Sequence, residues 1–318
     1  TSSPIYPARP GRKLQVQVRD NATLTPYVIF TGWILDIQPE TDGNSVRITC
    51  GDGWSWLRAQ KLTSSAAYFN LSVSAAIEKV LASSGYPATP GWRIGTDTQP
   101  VRVFNLKNAD GAGTIQSLAD AALGTFFFDR FGSPTFYTRG YNSMTTHTIT
   151  QADVHREIVP AQPWELVAND VTVAAHRIVK RRLSDIWSLG DPVYLADGAS
   201  TTLRAEYDPA VDITQRTYSA YVNANKTGAP LTNDWSVTTV IAPSYCDFTI
   251  TNNSGSAGYL TELVLSGRIM ADQPVSYNEA DATSKAAYSP RYFALDSAYL
   301  QSRNYASAYA AIILAKLK

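Results

Sequence analysis

Alternation of apolar and polar positions dominates the first sixty residues of the chain. Apolar residues alternate with polar ones over 13–19, a second apolar stretch covers 27–37, and a third alternating segment covers 46–50. Polar, turn-forming residues separate these segments at 21–23 and 40–44. A period of two is typical of half-buried strands, and short polar turns join antiparallel neighbours. The pattern therefore predicts a three-stranded antiparallel meander.

The spacing of apolar residues changes in the middle of the chain. Over 72–84 and again over 112–122 they recur at i, i+3 and i+4, the stripe of an amphipathic helix. A strand is predicted between the helices at 101–106, and an aromatic hairpin after them at 126–138. Helices and strands mixed within so short a segment predict a small α+β domain over residues 63–150.

Strands return in the last part of the chain, which ends in a predicted helix. The strands are predicted at 170–173, 192–195, 238–241, 246–251 and 260–265. From residue 296 to 318 apolar residues recur at spacings of three, four and seven, which predicts a C-terminal helix. The fold class is therefore mainly β with an α+β insertion, and the domains are a first β-domain at 1–62, the insertion at 63–150, and a second β-domain with the C-terminal helix at 151–318.

Composition narrows the classes of function. The 318 residues carry 27 Lys+Arg and 27 Asp+Glu, so the formal net charge is zero, without the positive excess of a nucleic-acid-binding protein. Charged residues make up 17% of the chain, against about 25% in an average globular protein, while tyrosine is abundant. Such a surface suits large contacts with neighbouring proteins. No apolar run is close to the length of about 20 residues that a membrane-spanning helix needs, and no signal peptide is visible.

Residues with catalytic or metal-binding chemistry are few and scattered. His147, His155 and His176 have no metal-ligand spacing, so we expect structural or surface roles for them. The nearest approach to a G-x-S-x-G motif, at 53–57, lacks its closing glycine, and we expect its two tryptophans in a core or an interface. The sequence predicts no enzyme, and no catalytic, metal or cofactor site.

One glycine pattern resembles a dinucleotide-binding motif. Residues 111–116 read G-A-G-T-I-Q after a predicted strand, but the third glycine and the following acidic residue are missing. Asp110 and the glycines are better interpreted as the start of a helix. The two cysteines, Cys50 and Cys246, are predicted to be small buried residues in strands rather than a disulfide.

Two polar segments have competing interpretations. The basic run at 180–182 is interpreted either as a contact with a phosphate or a partner, or as a solvated face of a strand or loop, and we favour the second. The stretch at 220–236 carries Tyr221 and Trp235, which we expect to be exposed. It is interpreted as a sugar-binding or partner-docking loop, or more simply as a connection.

The order of segments is more informative than any single motif. It includes F-T-G-W-I at 30–34, a strand ending in C-G-D at 50–52, the hairpin F-F-F-D-R-F-G-S-P-T-F at 126–136, and the segment at 260–267 before a terminal helix rich in Tyr and Ala. This arrangement resembles the baseplate hub and minor tail proteins of tailed bacteriophages. The resemblance spans most of the chain and is weakest at 220–236.

The resemblance implies a structural function. Hub proteins of this family are homotrimers in which each chain contributes two tube-like β-domains, barrels or sandwiches, to a pseudo-sixfold ring. The implied partners are the tail tube or distal tail protein ring, the tape measure protein and downstream tip or fibre proteins, with genome DNA meeting the protein only by passage through the channel during ejection. The implied location is the tail tip of the virion, after assembly in the host cytoplasm. The interface or core candidates are Trp33, Trp54, Trp56, Tyr299 and Tyr309.

Three alternatives remain open from the sequence. One is a carbohydrate-binding receptor-recognition module that uses Tyr221 and Trp235. Another is a sixfold distal tail or tube ring protein, and the third is a hydrolase with an unrecognised site.

Overall fold

The computed structural model describes residues 9–19, 25–40, 45–63, 67–88, 91–107, 109–139 and 167–317. Within these ranges the chain is mainly β, with five α-helices and several sheets, none of which closes into a barrel. The predicted turn at 21–23, most of the turn at 40–44, and two of the histidines, His147 and His155, lie outside the described residues.

The N-terminal sheet is the predicted three-stranded meander. It comprises β1 (Lys13–Arg19), β2 (Pro26–Pro39) and β3 (Val46–Gly51), antiparallel and in that order. A short helix that the sequence did not predict, α1 (Gly53–Ala59), follows at once. It begins there because the Asp52 carboxylate accepts a hydrogen bond from the backbone N–H of Trp54, which caps the helix.

An α+β unit follows, with the two predicted helices packed in one core. Its elements are β4 (Lys61–Leu62), β5 (Ala67–Ser72), α2 (Val73–Ser83), β6 (Arg93–Ile94), β7 (Pro100–Asn105), β8 (Ala109–Asp110), α3 (Gly111–Ala121), β9 (Thr125–Phe128) and β10 (Pro134–Tyr137). The apolar stripes of α2 and α3 meet in a cluster that includes the fully buried Ile77, Phe104 and Ile115. The helical periodicity at 72–84 and 112–122 thus identified both helices to within about a residue.

The second β unit is arranged around one long strand. Its elements are β11 (Asp170–Lys180), β12 (Ser184–Ser188), β13 (Val193–Leu195), β14 (Ser200–Glu206), β15 (Ala210–Tyr221), β16 (Trp235–Ile241), β17 (Tyr245–Asn252) and β18 (Gly258–Ala280). The first half of β18 pairs with β12, β13 and β15, and its second half pairs with β11. A separate sheet in the order β14-β17-β16 contributes Phe248 and Ile250 to a core shared with Leu263 of β18.

The C-terminal segment packs back onto strand β11. It comprises α4 (Ala282–Tyr288), β19 (Tyr292–Ser297) and α5 (Arg303–Leu317). The prediction of a helix from residue 296 was wrong at its start, because β19 pairs in parallel with β11 as far as Ser297. Helix α5 therefore begins at Arg303, and it buries Tyr309, Ala310 and Ile313 against the sheet.

Side-chain hydrogen bonds join the C-terminal segment to the α+β unit. The Gln301 amide donates to the carbonyl of Val103 and accepts from its N–H, both at 2.9 Å. The side chain thus forms the two hydrogen bonds that a strand beside β7 would form with Val103. The Tyr309 hydroxyl donates to Oε1 of Gln99 at 2.5 Å, and the Ser297 hydroxyl donates to the carbonyl of Ser117 at 2.6 Å. These bonds link residues about 180 to 210 positions apart.

Candidate interface surfaces

One face of the N-terminal sheet is almost entirely apolar. Residues directly opposite each other on paired strands share a face, and the register places Val16 opposite Phe30, Val18 opposite Tyr27 and Ile37 opposite Ile48. With the residues that alternate with them, these form a surface that we call the apolar face. Its members are Leu14, Val16, Val18, Tyr27, Phe30, Ile34, Ile37, Val46, Ile48 and Cys50.

Half of the ten members of the apolar face are exposed to solvent, whereas Ile34, near its middle, is buried. Val18 is 51% exposed and Tyr27 53% exposed, although the alternation in β1 predicted a half-buried strand. No other described part of the chain pairs with the outer edges of β1 and β3. Isolated exposed apolar side chains are ordinary, but a contiguous apolar patch on a sheet is typical of a contact surface.

The opposite face of the N-terminal sheet packs on the α+β unit through Trp33. Its ring lies 5.3 Å from that of Trp56 and 5.5 Å from that of Tyr86, and Trp33 is buried. The indole N–H of Trp56 donates to the carbonyl of Ser84 at 3.2 Å. Burial raises the pKa of Tyr86, with Asp52 and Asp129 raising it further. The tryptophans at 33 and 56 thus connect two parts of one chain, and a contact between chains remains a prediction for them.

The remaining interface candidates occupy two other places. Trp54 is half-buried beside Phe126 and Phe128. Tyr299 packs against Phe104 with ring centroids 5.6 Å apart, and Tyr309 is buried at the contact with Gln99. Both tyrosines therefore belong to a contact inside one chain, between the C-terminal segment and the α+β unit.

The segment at 220–236 differs from its sugar-binding interpretation. Trp235 is only 3% exposed, because it begins β16 and packs in the core of the second β unit with Leu231. Tyr221 is half-buried at the end of β15. Residues 222–230 are exposed, so the segment is an exposed excursion whose far end is held in the core.

The basic run and the cysteines are located at strands, as expected. Lys180 ends β11 and its ammonium pairs with the Asp212 carboxylate at 2.6 Å, and the two arginines after it are exposed. Both cysteines are free and lie in strands, Cys50 half-buried and Cys246 fully buried. Burial, with a contribution from Asp247, raises the pKa of Cys246 to about 11, so that sulfur is a thiol at neutral pH.

The glycine pattern at 111–116 is a helix start, as predicted. The Asp110 carboxylate accepts the backbone N–H of Gly113 at 2.7 Å. A Cβ on Gly113 would lie 2.6 Å from that carboxylate oxygen, so a larger residue there would displace the capping side chain.

The described residues contain neither a candidate metal site nor a candidate membrane-spanning helix. No group of three or more His, Cys, Asp or Glu side chains in them is placed to hold a metal ion. Among the same residues, no helix is long and apolar enough to cross a membrane.

Comparison with known proteins gives little beyond a distant likeness. No protein-family model matches the chain, and no curated protein matches it. The crystal structure of the 43 kDa tail protein of prophage MuSo2 from Shewanella oneidensis is similar to 51% of this chain, with a TM-score of 0.37 and 16% sequence identity. The match spans about half of that protein, 54% of its chain. This likeness is too weak to establish a shared fold.

Proposed function

We propose that the chain is a structural protein of a phage tail tip, a baseplate hub. In this proposal three copies form a pseudo-sixfold ring that joins the tail tube and distal tail ring to downstream tip or fibre proteins. The ring surrounds the channel through which the tape measure protein and the genome pass. The role is mechanical, and it requires extensive contacts between copies rather than a catalytic centre.

The observation that carries the proposal is the apolar face of the N-terminal sheet. Leaving Val18, Tyr27 and their neighbours in water costs free energy in proportion to the apolar area exposed. In a ring, the same surface of each copy would be covered by the adjacent copy. The open edges of β1 and β3 support the same arrangement, because unpaired strand edges are ready to bond a strand of another chain.

The distribution of β-structure supports the pseudo-sixfold symmetry. Each chain has one β-rich part before the α+β unit and another after it. Three chains with two such parts each supply six ring segments. A head-to-tail contact between them closes into a ring when the rotation is right.

The test measures the mass of the native particle. Light scattering after gel filtration should give three times the chain mass of 34.7 kDa. Val18→Glu places a charge on the apolar face and should reduce the mass to that of one chain, because a buried unpaired carboxylate is costly. Gln17→Glu is the matched control, since Gln17 is exposed on the other face of the same strand, and it should remain trimeric.

Each outcome decides the proposal. A hexamer would indicate a sixfold distal tail or tube ring protein instead of a hub. A native monomer, in solution and in mildly crosslinked particles, would overturn the hub. A trimer that Val18→Glu leaves intact would remove the apolar face as the contact surface.

A further inference from the structure

A cleft between helices α1 and α3 has the lining of a ligand site. Its volume is about 610 Å³, within the usual range for small-molecule sites. We call it the α1–α3 cleft. The residues that define it are Trp54 and Arg58 from α1, Asp110, Gly113 and Gln116 from the start of α3, and Phe126 from β9.

Several hydrogen-bonding atoms that line the cleft have no partner among the residues that the structure describes. Arg58 has no ion pair or side-chain hydrogen bond within the described chain, and it is exposed. Asp110 uses only Oδ2, for the helix cap, which leaves Oδ1 as an acceptor. Gln116 donates to Asp120 through Nε2 at 2.8 Å, so its Oε1 is also open. The cleft therefore offers a planar donor and two acceptors at once.

An indole forms one wall of the cleft. Trp54 lies one helical turn from Arg58, at i and i+4, so both side chains project from the same side of α1. Its ring meets Phe126 at 72° and Phe128 at 88°. Both phenylalanine contacts are edge contacts, so they hold the indole in place without stacking on it in parallel. A half-buried, firmly held tryptophan is a suitable platform for an apolar ring face.

The combination of groups defines the ligand chemistry. One guanidinium and one carboxylate cancel in charge, which disfavours an anion such as a phosphate: Asp110 would repel it. Neighbouring hydroxyls on a sugar ring both donate and accept, as the open groups of Arg58, Asp110 and Gln116 require. The C–H face of such a ring packs against indole. From this juxtaposition we infer that the α1–α3 cleft binds a neutral saccharide.

This inference is independent of the trimeric ring. It also places sugar recognition away from 220–236, where the sequence suggested it and where Trp235 is buried in the core. A monomeric chain would still have the cleft, because all its lining residues belong to the α+β unit and the adjacent α1.

The experiment titrates the full chain with neutral oligosaccharides built from glucose, galactose, rhamnose and N-acetylglucosamine, followed by calorimetry and by tryptophan fluorescence. At least one should bind, with a change in fluorescence that Trp54→Phe removes. Arg58→Met and Gln116→Met should each weaken binding about tenfold, since each deletes a hydrogen-bonding group. Arg102→Met alters an exposed arginine of β7 and should bind like the native chain.

Two controls make the result decisive. Circular dichroism and melting curves that match the native chain exclude misfolding of the Arg58 and Gln116 variants, both of which alter exposed side chains. Tyr221→Ala should bind normally. Failure of every oligosaccharide to bind at millimolar concentration would overturn the inference. So would binding that Tyr221→Ala abolishes, or binding unaffected by both cleft variants.

Discussion

The imidazole of His176 lies 2.6 Å from the carboxylate of Asp272, from Nδ1 to Oδ2. On its other side, Nε2 lies 2.6 Å from Oδ1 of Asp296. The three residues stand on the adjacent strands β11, β18 and β19, so the ring bridges a parallel and an antiparallel pairing. Both ring nitrogens can donate only when the imidazole is protonated and positively charged.

This arrangement predicts a stability that depends on pH. Partial burial lowers the pKa of His176, but the hydrogen bonds to Asp272 and Asp296 outweigh it, and the pKa lies above its ordinary value of 6.5. A group whose pKa is raised by folding stabilises the fold fully at pH values below its pKa in the unfolded chain. This contribution is lost as the pH rises through its pKa in the folded chain. Urea unfolding should therefore show that His176→Gln costs most below about pH 6.5 and progressively less above it.

The pKa of His176 can be measured directly. Asp272→Asn removes one of the two charged acceptors and should lower the pKa, as followed by the ring proton signals in NMR. If the difference in unfolding free energy between the native chain and His176→Gln is the same below and above about pH 6.5, the bridging role is contradicted.

A second prediction concerns the contact between α5 and the α+β unit. Tyr309→Phe leaves Oε1 of the buried Gln99 without its donor. An unpaired buried acceptor costs about 1 to 3 kcal/mol, so the free energy of unfolding should fall by that amount. Tyr305→Phe is the control, because the Tyr305 hydroxyl has no hydrogen-bond partner in the described chain and the residue is only half-buried. Equal losses in the two variants would mean that the Gln99 bond contributes nothing.

A third prediction tests how the exposed excursion at 220–236 is anchored. A Cβ on Gly258 would lie 2.6 Å from Cδ1 of Leu231 and 3.1 Å from the carbonyl oxygen of Tyr221. Gly258→Ala should therefore force the excursion away and destabilise the fold by about 1 to 3 kcal/mol. Gly190→Ala meets nothing within 4 Å and should change the unfolding free energy by less than about 0.5 kcal/mol. If Gly258→Ala is equally neutral in urea unfolding, the excursion is not packed on β18 in solution.

Periodicity identified the elements whose own residues form a buried stripe. Helices α2 and α3 were predicted from their apolar spacing, and the meander from its alternation. Helix α1 was missed because seven residues are too few to show a helical period, and the capping Asp52 was the one available signal. The second half of β18 was missed because its exposed residues lack a strand pattern, and its conformation depends on pairing with β11.

The candidate surfaces were predictable only in part. The sequence singled out the tryptophans, but only the register of β1, β2 and β3 shows that Val18 and Tyr27 share an exposed face. The α1–α3 cleft joins Arg58 to Gln116, which lie 58 positions apart in the sequence, and no local pattern links them. Trp235 was expected in an exposed loop, since nothing in its neighbours indicated that a core lies beneath it.

Strand β18 runs without interruption for 23 residues, which at about 3.3 Å per residue is about 75 Å of extended backbone. The strand that pairs with β18 changes in its middle. Pairing with β15 ends at Ile269, and pairing with β11 begins at Met270. At this point the backbone is held on both sides, by Arg181 and by Pro209. A tensile load applied at Gly258 would therefore be carried to Ala280 by one continuous extended backbone.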